Sequence, residues 1–316
     1  MELHQSSGRW QLGFTLAIAT ALLWGVLPIA LKISFQATGI YTVIWFRFLV
    51  AFCLLGLYLG YRRQLPTWVQ VRRGGIGLVA IATLFLAANY WLFSIGLDFT
   101  SPTNSQVIIQ LAPVCMGIGA LWIFKERYTQ LQWAGLAVLI AGLSLFFNDQ
   151  LKQLLGASQT YLVGTGMVVL AAIAWAVYAL AQKQLLLHLT SAQIMLMIYG
   201  GSAILFTPVA NPGQLLRMSG IEWTMLIFSA LNTLVAYGAF AEALAHWDAS
   251  RVSAVLSLTP LFTMSSVYGA LPFFPQWIEP ERLTGLGVLG AVLVVGGSLA
   301  IALGKHRRSS LSTERV

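Results

Sequence analysis

The sequence predicts an all-α polytopic membrane protein: ten transmembrane helices arranged as two inverted-topology five-helix repeats. Three observations carry that fold class. Hydrophobic residues make up 58% of the 316 residues and charged residues only 9%, with a mean hydropathy of +0.78. Soluble domains carry about 25% charge, so this chain cannot cover itself with a polar surface. The chain also repeats itself. WGVLPIALK at 24–32 is answered by WAVYALAQK at 175–183, and QLAPV at 110–114 by SLTPL at 257–261. Finally, the basic residues fall in short links and tails between apolar runs.

A helix needs roughly 20 apolar residues to cross about 30 Å of hydrocarbon. Such stretches lie near 12–33, 40–60, 75–97, 103–124, 131–148, 161–183, 191–210, 223–245, 251–272 and 284–304. The first repeat is therefore expected over 12–148 and the second over 161–304, with tails at 1–11 and 305–316. The links at Thr100 to Pro102 and at His246 to Ser250 leave no room for a soluble domain. Residues 1–11 are polar and the run after them is long enough to span, so no cleaved leader is expected.

Placing the N-terminus in the cytoplasm puts Arg62, Arg63, Arg72, Arg73, Lys125, Arg127, Lys183, Arg251 and the basic C-terminal tail on the inner side. Lys32, Lys152, Arg217 and Arg282 remain outside. That bias obeys the positive-inside rule and predicts two cytoplasmic termini in a cell inner membrane. Five helices per copy is an odd number, so the second copy enters from the opposite side. Inverted repeats of this kind suit alternating access.

The motifs are similar to those of the drug/metabolite transporter superfamily, in particular proteins with two EamA domains. The resemblance runs over about residues 12–304. It rests on QLAPV and SLTPL with mid-helix Pro113 and Pro260, on the edge motifs Lys125-Glu126-Arg127 and Glu281-Arg282, and on the spaced glycines Gly135, Gly142, Gly290 and Gly297. The second copy departs from the pattern by an insertion, YGALPFFPQWIEPER, before Glu281. The resemblance implies a ten-helix inner-membrane carrier of small metabolites, often outward, close to the branch that exports amino acids. Import or exchange of nucleosides, sugars or drugs is the alternative transport reading. A membrane sensor or assembly partner is the non-transport reading.

Nothing in the sequence suggests an enzyme or a cofactor. HExxH, GxSxG and phosphate-binding glycine loops are absent, and the four histidines are scattered. Cys53 and Cys115 have no metal-ligand spacing, so no metal is expected. The net charge of +8 reads as membrane orientation and not as nucleic-acid binding. The expected partners are a small-molecule substrate and the lipid bilayer. Gly56 and Gly60 read as internal packing in a monomer, although such spacing also serves dimers.

Candidate substrate contacts follow from polar and aromatic groups at mid-span. Trp24 and Trp175 hold equivalent repeat positions, as two aromatic walls across a cavity or as packed core. Tyr178 lies on the helix of Trp175. Phe85, Asn89 and Phe93 share a helix face by i, i+4 spacing, and Tyr90 and Tyr237 correspond in the repeat, with Asn232 about one turn earlier. Unpaired polar groups are costly in hydrocarbon, so Asn89 and Asn232 face either substrate or a neighbouring helix. Gln106 and Gln110 precede Pro113, and Ser257 precedes Pro260. Each proline frees a carbonyl one turn earlier, giving either a substrate site or a hinge. Lys32 and Lys183 read as snorkelling anchors or as gating charges. Arg47 lies within a span and needs a partner, either structural or a substrate carboxylate. Glu242 is the remaining candidate proton carrier, since no carboxylate falls at mid-membrane.

Overall fold

A computed structural model describes residues 6–100, 105, 108–126, 128–146, 148, 159–270, 272–273 and 284–303. Every long regular element among them is a helix. They are α1 (Trp10–Ala37), α2 (Ile40–Tyr61), α3 (Trp68–Gly74), α4 (Ile76–Phe99), α5 (Leu111–Ile123), α6 (Gln130–Phe146), α7 (Gln159–Leu185), α8 (Ser191–Phe206), α9 (Gly220–His246), α10 (Ala249–Leu256), α11 (Thr259–Ala270) and α12 (Gly285–Leu303). A short 3₁₀ helix, Pro212–Arg217, precedes α9.

Six spans are long and apolar enough to cross a bilayer, with Ala249–Gly269 counted as one, and four shorter apolar helices accompany them. Over the described residues the predicted apolar stretches overlap these helices, with two kinds of difference. First, α3 was not expected. Thr67 and Gln70 form a capping box that starts it, and Arg72 and Arg73 in its last turn oppose the helix dipole. Second, the predicted single helix 251–272 is broken at Ser257. Its mate near 103–124 is also interrupted, at Gln110. The two break residues have nearly the same backbone: φ −66°, ψ −11° at Gln110 and φ −65°, ψ −9° at Ser257.

Each principal helix contact joins the first half of the chain to the second. The most extensive are α6 with α12, α4 with α7, α1 with α9 and α2 with α8, followed by α1 with α11 and α5 with α7. Polar side chains fasten them through backbone carbonyls. Asn89 Nδ2 donates to the Ala171 carbonyl at 2.9 Å, and Thr20 Oγ1 shares its proton between the Leu16 carbonyl of its own helix at 2.8 Å and the Ala236 carbonyl at 3.3 Å. In the repeat register these are the same contact, with the donor on opposite partners. Asn232 Nδ2 donates to the Leu23 carbonyl at 2.7 Å.

The largest buried cluster runs through the middle of the bundle and includes Phe48, Tyr90, Trp175, Tyr178, Tyr199, Tyr237 and Phe240. The glycines at 56 and 60 do not behave alike. Gly60 faces open space, and a Cβ at Gly56 would meet only Leu196, at 3.5 Å.

Candidate functional site

A cavity of about 130 Å³ opens between the two halves, with room for several waters or a small organic molecule. Its floor is aromatic. Trp24 lies edge-on to Trp175 with ring centroids 5.7 Å apart, and its ring is 4.9 Å from that of Tyr237. Phe240 closes the cluster from beneath, 5.1 Å from Trp175. The two tryptophans therefore touch. They form one continuous surface and not two walls with space between them, because rings at that separation exclude a third molecule.

The sides carry the polar groups. Asn89, Phe93 and Ser94 of α4 line the cavity, with Ile109 and Gln110 at the break before α5, and Thr259 at the break before α11. Pro28 and Pro113 line it too. Each lacks an N–H, so the carbonyls of Trp24 and Ile109 lose their helical partners beside the cavity. Two buried polar atoms here have no hydrogen bond, the Trp24 Nε1 donor and the Gln110 Oε1 acceptor. Buried polar groups are normally paired, so each is a donor or acceptor that the described residues leave unmatched.

Arg47 is the one charged side chain among the described lining residues. It is 3% exposed. Its Nε donates to Thr233 Oγ1 at 2.9 Å and its Nη2 to the Tyr90 hydroxyl at 3.3 Å, with the guanidinium carbon 4.6 Å from the Tyr90 ring centre. The sequence left its partner open between a structural contact and a substrate carboxylate. The protein partners are two hydroxyls and a ring.

Several predicted residues lie elsewhere. Phe85 is on the α4 stripe but two turns from Phe93, and it is exposed on the outside of the bundle. Tyr178 is fully buried behind the floor, where its hydroxyl donates to Met195 Sδ at 3.6 Å. Asn232 faces α1 and not the cavity. Ser257 Oγ donates to the Ser253 carbonyl at 3.2 Å and faces a smaller void with Ser250. Pro260 sits in the first turn of α11, outside the lining. Lys32 is half-buried next to Leu31 of the lining, with no acidic partner among the described residues. Gln106 lies outside the described residues. Glu242 pairs with His246 at 3.1 Å on the rim of α9, half-exposed and away from the cavity.

Lys183 does not snorkel. It is 2% exposed, and its Nζ lies 2.9 Å from Glu126 Oε1. The same carboxylate accepts the backbone N–H of Ala249 at 3.1 Å, the N–H of Ser250 at 3.2 Å, and the Ser250 hydroxyl. Asp248, the N-cap residue of α10, makes no side-chain cap bond. Glu126 caps that helix from the link between α5 and α6, where carboxylate and helix dipole attract. Lys125, at φ +52°, turns the chain left-handed just before it. Burial would raise the Glu126 pKa, but Lys183 and Ser250 outweigh it and the pKa is lowered.

Among the described residues, apolar helices long enough to cross a bilayer enclose a small, aromatic-floored, singly charged cavity, the architecture of a polytopic membrane protein. The chain belongs to the EamA-like transporter family, whose model matches residues 11–148 and 162–303. It is 39% identical over 293 residues to an uncharacterized transporter of Haemophilus influenzae, covering 93% of this chain and 95% of that one. It is 40% identical over 297 residues to the uncharacterized inner membrane transporter YhbE of Escherichia coli K12, covering 94% and 92%. A more distant relative, 25% identical over 310 residues and 94% of this chain, is named a probable amino-acid metabolite efflux pump of the same organism. A solved crystal structure at 17% identity shares the fold with a TM-score of 0.68, covering 95% of this chain and 99% of the other.

The sequence missed Pro28, Phe93's partner Ser94, and Thr259. Pro28 stands in the repeated WGVLPIALK segment itself, so the rule applied to Pro113 also reaches it.

Proposed function

We propose that this transporter works by alternating access as two inverted five-helix repeats, 12–148 and 161–304, and exports small amphipathic metabolites of the amino-acid kind across the inner membrane. The observation that carries the reading is the cavity between the halves, lined from both: Trp24, Asn89 and Gln110 from the first, Trp175, Tyr237 and Thr259 from the second. The matching breaks at Gln110 and Ser257 and the reciprocal Asn89 and Thr20 bonds support the internal two-fold. The name of the E. coli efflux pump supports the substrate class, and that of YhbE the inner membrane.

With the N-terminus in the cytoplasm, the cavity lies toward the outer half, beside the C-terminal parts of α1 and α4. The Glu126–Lys183 cluster lies on the cytoplasmic side. The conformation is then outward-facing, with the cytoplasmic side closed.

The test is uptake and counterflow in liposomes holding purified protein, against a labelled amino-acid panel. Saturable counterflow is expected. Trp24→Ala and Trp175→Ala are each expected to cut it about tenfold, since a buried aromatic contact is worth ~1–3 kcal/mol. No saturable flux for any compound would refute the carrier, and unchanged flux in both folded variants would remove the floor from the site.

A further inference from the structure

We infer that Arg47 is the anchor for an anionic group on the substrate, so that the cavity selects small molecules carrying one carboxylate. The inference rests on the transport reading above and adds the recognition chemistry to it.

A guanidinium cannot shed its charge to become neutral. A central cation on a spanning helix costs around 2.5–3.5 kcal/mol even on insertion scales, and intramembrane ionisable residues usually mark function. Arg47 meets no carboxylate among the described residues. The ion pairs among the described residues belong to Lys183, His246 and Arg251.

Its polar neighbours are neutral and already committed. Thr233 Oγ1 donates its proton to the Ser229 carbonyl at 2.9 Å, so toward Arg47 it only accepts. The Tyr90 hydroxyl accepts from Nη2 and lies 3.5 Å from Thr233 Oγ1, as its donor. Those contacts occupy two of the five guanidinium N–H groups. They also fix the plane of the fork, with Tyr90 against one side. The remaining N–H groups have no acceptor among the described residues, and the side chain borders the cavity.

A fixed fork with donors facing the cavity matches a carboxylate, which it can grip through two parallel bonds. Charge balance favours a single carboxylate over a phosphate. One guanidinium neutralises one negative charge, whereas a dianion would leave an unpaired charge in an apolar cavity. The rest of the site fits the remainder of such a molecule. Trp24, Trp175 and Tyr237 offer an apolar face, and Gln110 Oε1 waits for an N–H donor such as an amino group.

The experiment compares labelled monocarboxylic L-amino acids with their carboxamides in liposomes holding wild-type protein, R47K or R47Q. Wild type is expected to prefer the acids by about tenfold or more, since bonds to a charged group contribute ~1.5–3 kcal/mol. R47Q should lose acid transport and level the ratio, and R47K should keep a reduced preference. Thermal melting of each variant separates recognition from folding. A structural role alone would lower all fluxes without moving the acid-to-amide ratio. Wild type carrying amides as well as acids, or an unchanged ratio in R47Q, would overturn the anchor and leave the carrier standing. Should R47Q not fold, the wild-type ratio alone still decides. Absence of flux for acids and amides alike would overturn both.

Discussion

Glu126→Ala is expected to open the end of the bundle that Lys183 and α10 close. The substitution strands a buried ammonium and leaves the first N–H groups of α10 without their carboxylate. Breaking a buried pair by removing one partner costs ~3–5 kcal/mol, a large share of a typical folding stability. Two readouts separate the consequences. The melting temperature should fall, and a cysteine at Ala249, fully buried in wild type, should become reactive toward a polar thiol reagent once Cys53 and Cys115 are replaced. Lys183→Met combined with Glu126→Gln should cost less than the two single changes added together, as expected for groups in contact. An unreactive Ala249→Cys and an unchanged melt in Glu126→Ala would show that the cluster locks nothing. Acid acts in the same direction as the mutation. Glu126 has a folded pKa below its ordinary 4.5, so its contribution is fully present above about pH 4.5 and disappears as pH falls through the depressed value. Melting curves recorded downward from pH 6 should show the loss in wild type and not in Glu126→Gln.

The spans were legible because hydrocarbon solvent imposes a length on each apolar run. Helix rotation was not. Tyr178 and Tyr237 are both mid-span tyrosines, yet one lines the cavity and the other is sealed behind it. A helix that is apolar all round gives no face to read, so the sequence cannot tell the two apart. Asn89 and Asn232 illustrate the same limit. Each bonds a neighbouring helix, and only Asn89 also reaches the cavity. The pairing of Lys183 was illegible for a different reason. Its partner lies 57 residues away, and no local pattern announces a contact across two helices. The breaks at Gln110 and Ser257 were half visible. Their prolines were plain, but a proline three residues further on is compatible with a bend as well as with an interruption.

Gly297→Leu is expected to damage the molecule in a way that Glu126→Ala does not. Helices α6 and α12 pack backbone to backbone. A Cβ at Gly297 would lie 2.6 Å from the Gly135 carbonyl oxygen, and one at Gly142 would lie 2.7 Å from the Val294 nitrogen. Neither obstacle is a flexible side chain that can swing aside. Gln132 Nε2 pins the far end of the seam by donating to the Ile301 carbonyl at 3.1 Å. Small residues are what allow such approach where lipid supplies no hydrophobic drive between helices. Inserting a leucine must separate the helices, at ~3 kcal/mol or more, because overpacking costs ~1–3 even when side chains can yield. The seam joins the two halves away from the cavity lined by Trp24 and Trp175, and under the proposed cycle it is expected to stay closed. Loss of it should therefore appear as a lower melting temperature and yield, with the surviving folded fraction keeping Ala249→Cys unreactive. Glu126→Ala should also lower the melting temperature, but with Ala249→Cys made reactive. Gly60→Leu supplies the control. No atom lies within 4 Å of its missing Cβ, so the same added bulk there should leave melting and yield unchanged. A wild-type melt in Gly297→Leu would mean that the two helices are not obliged to touch.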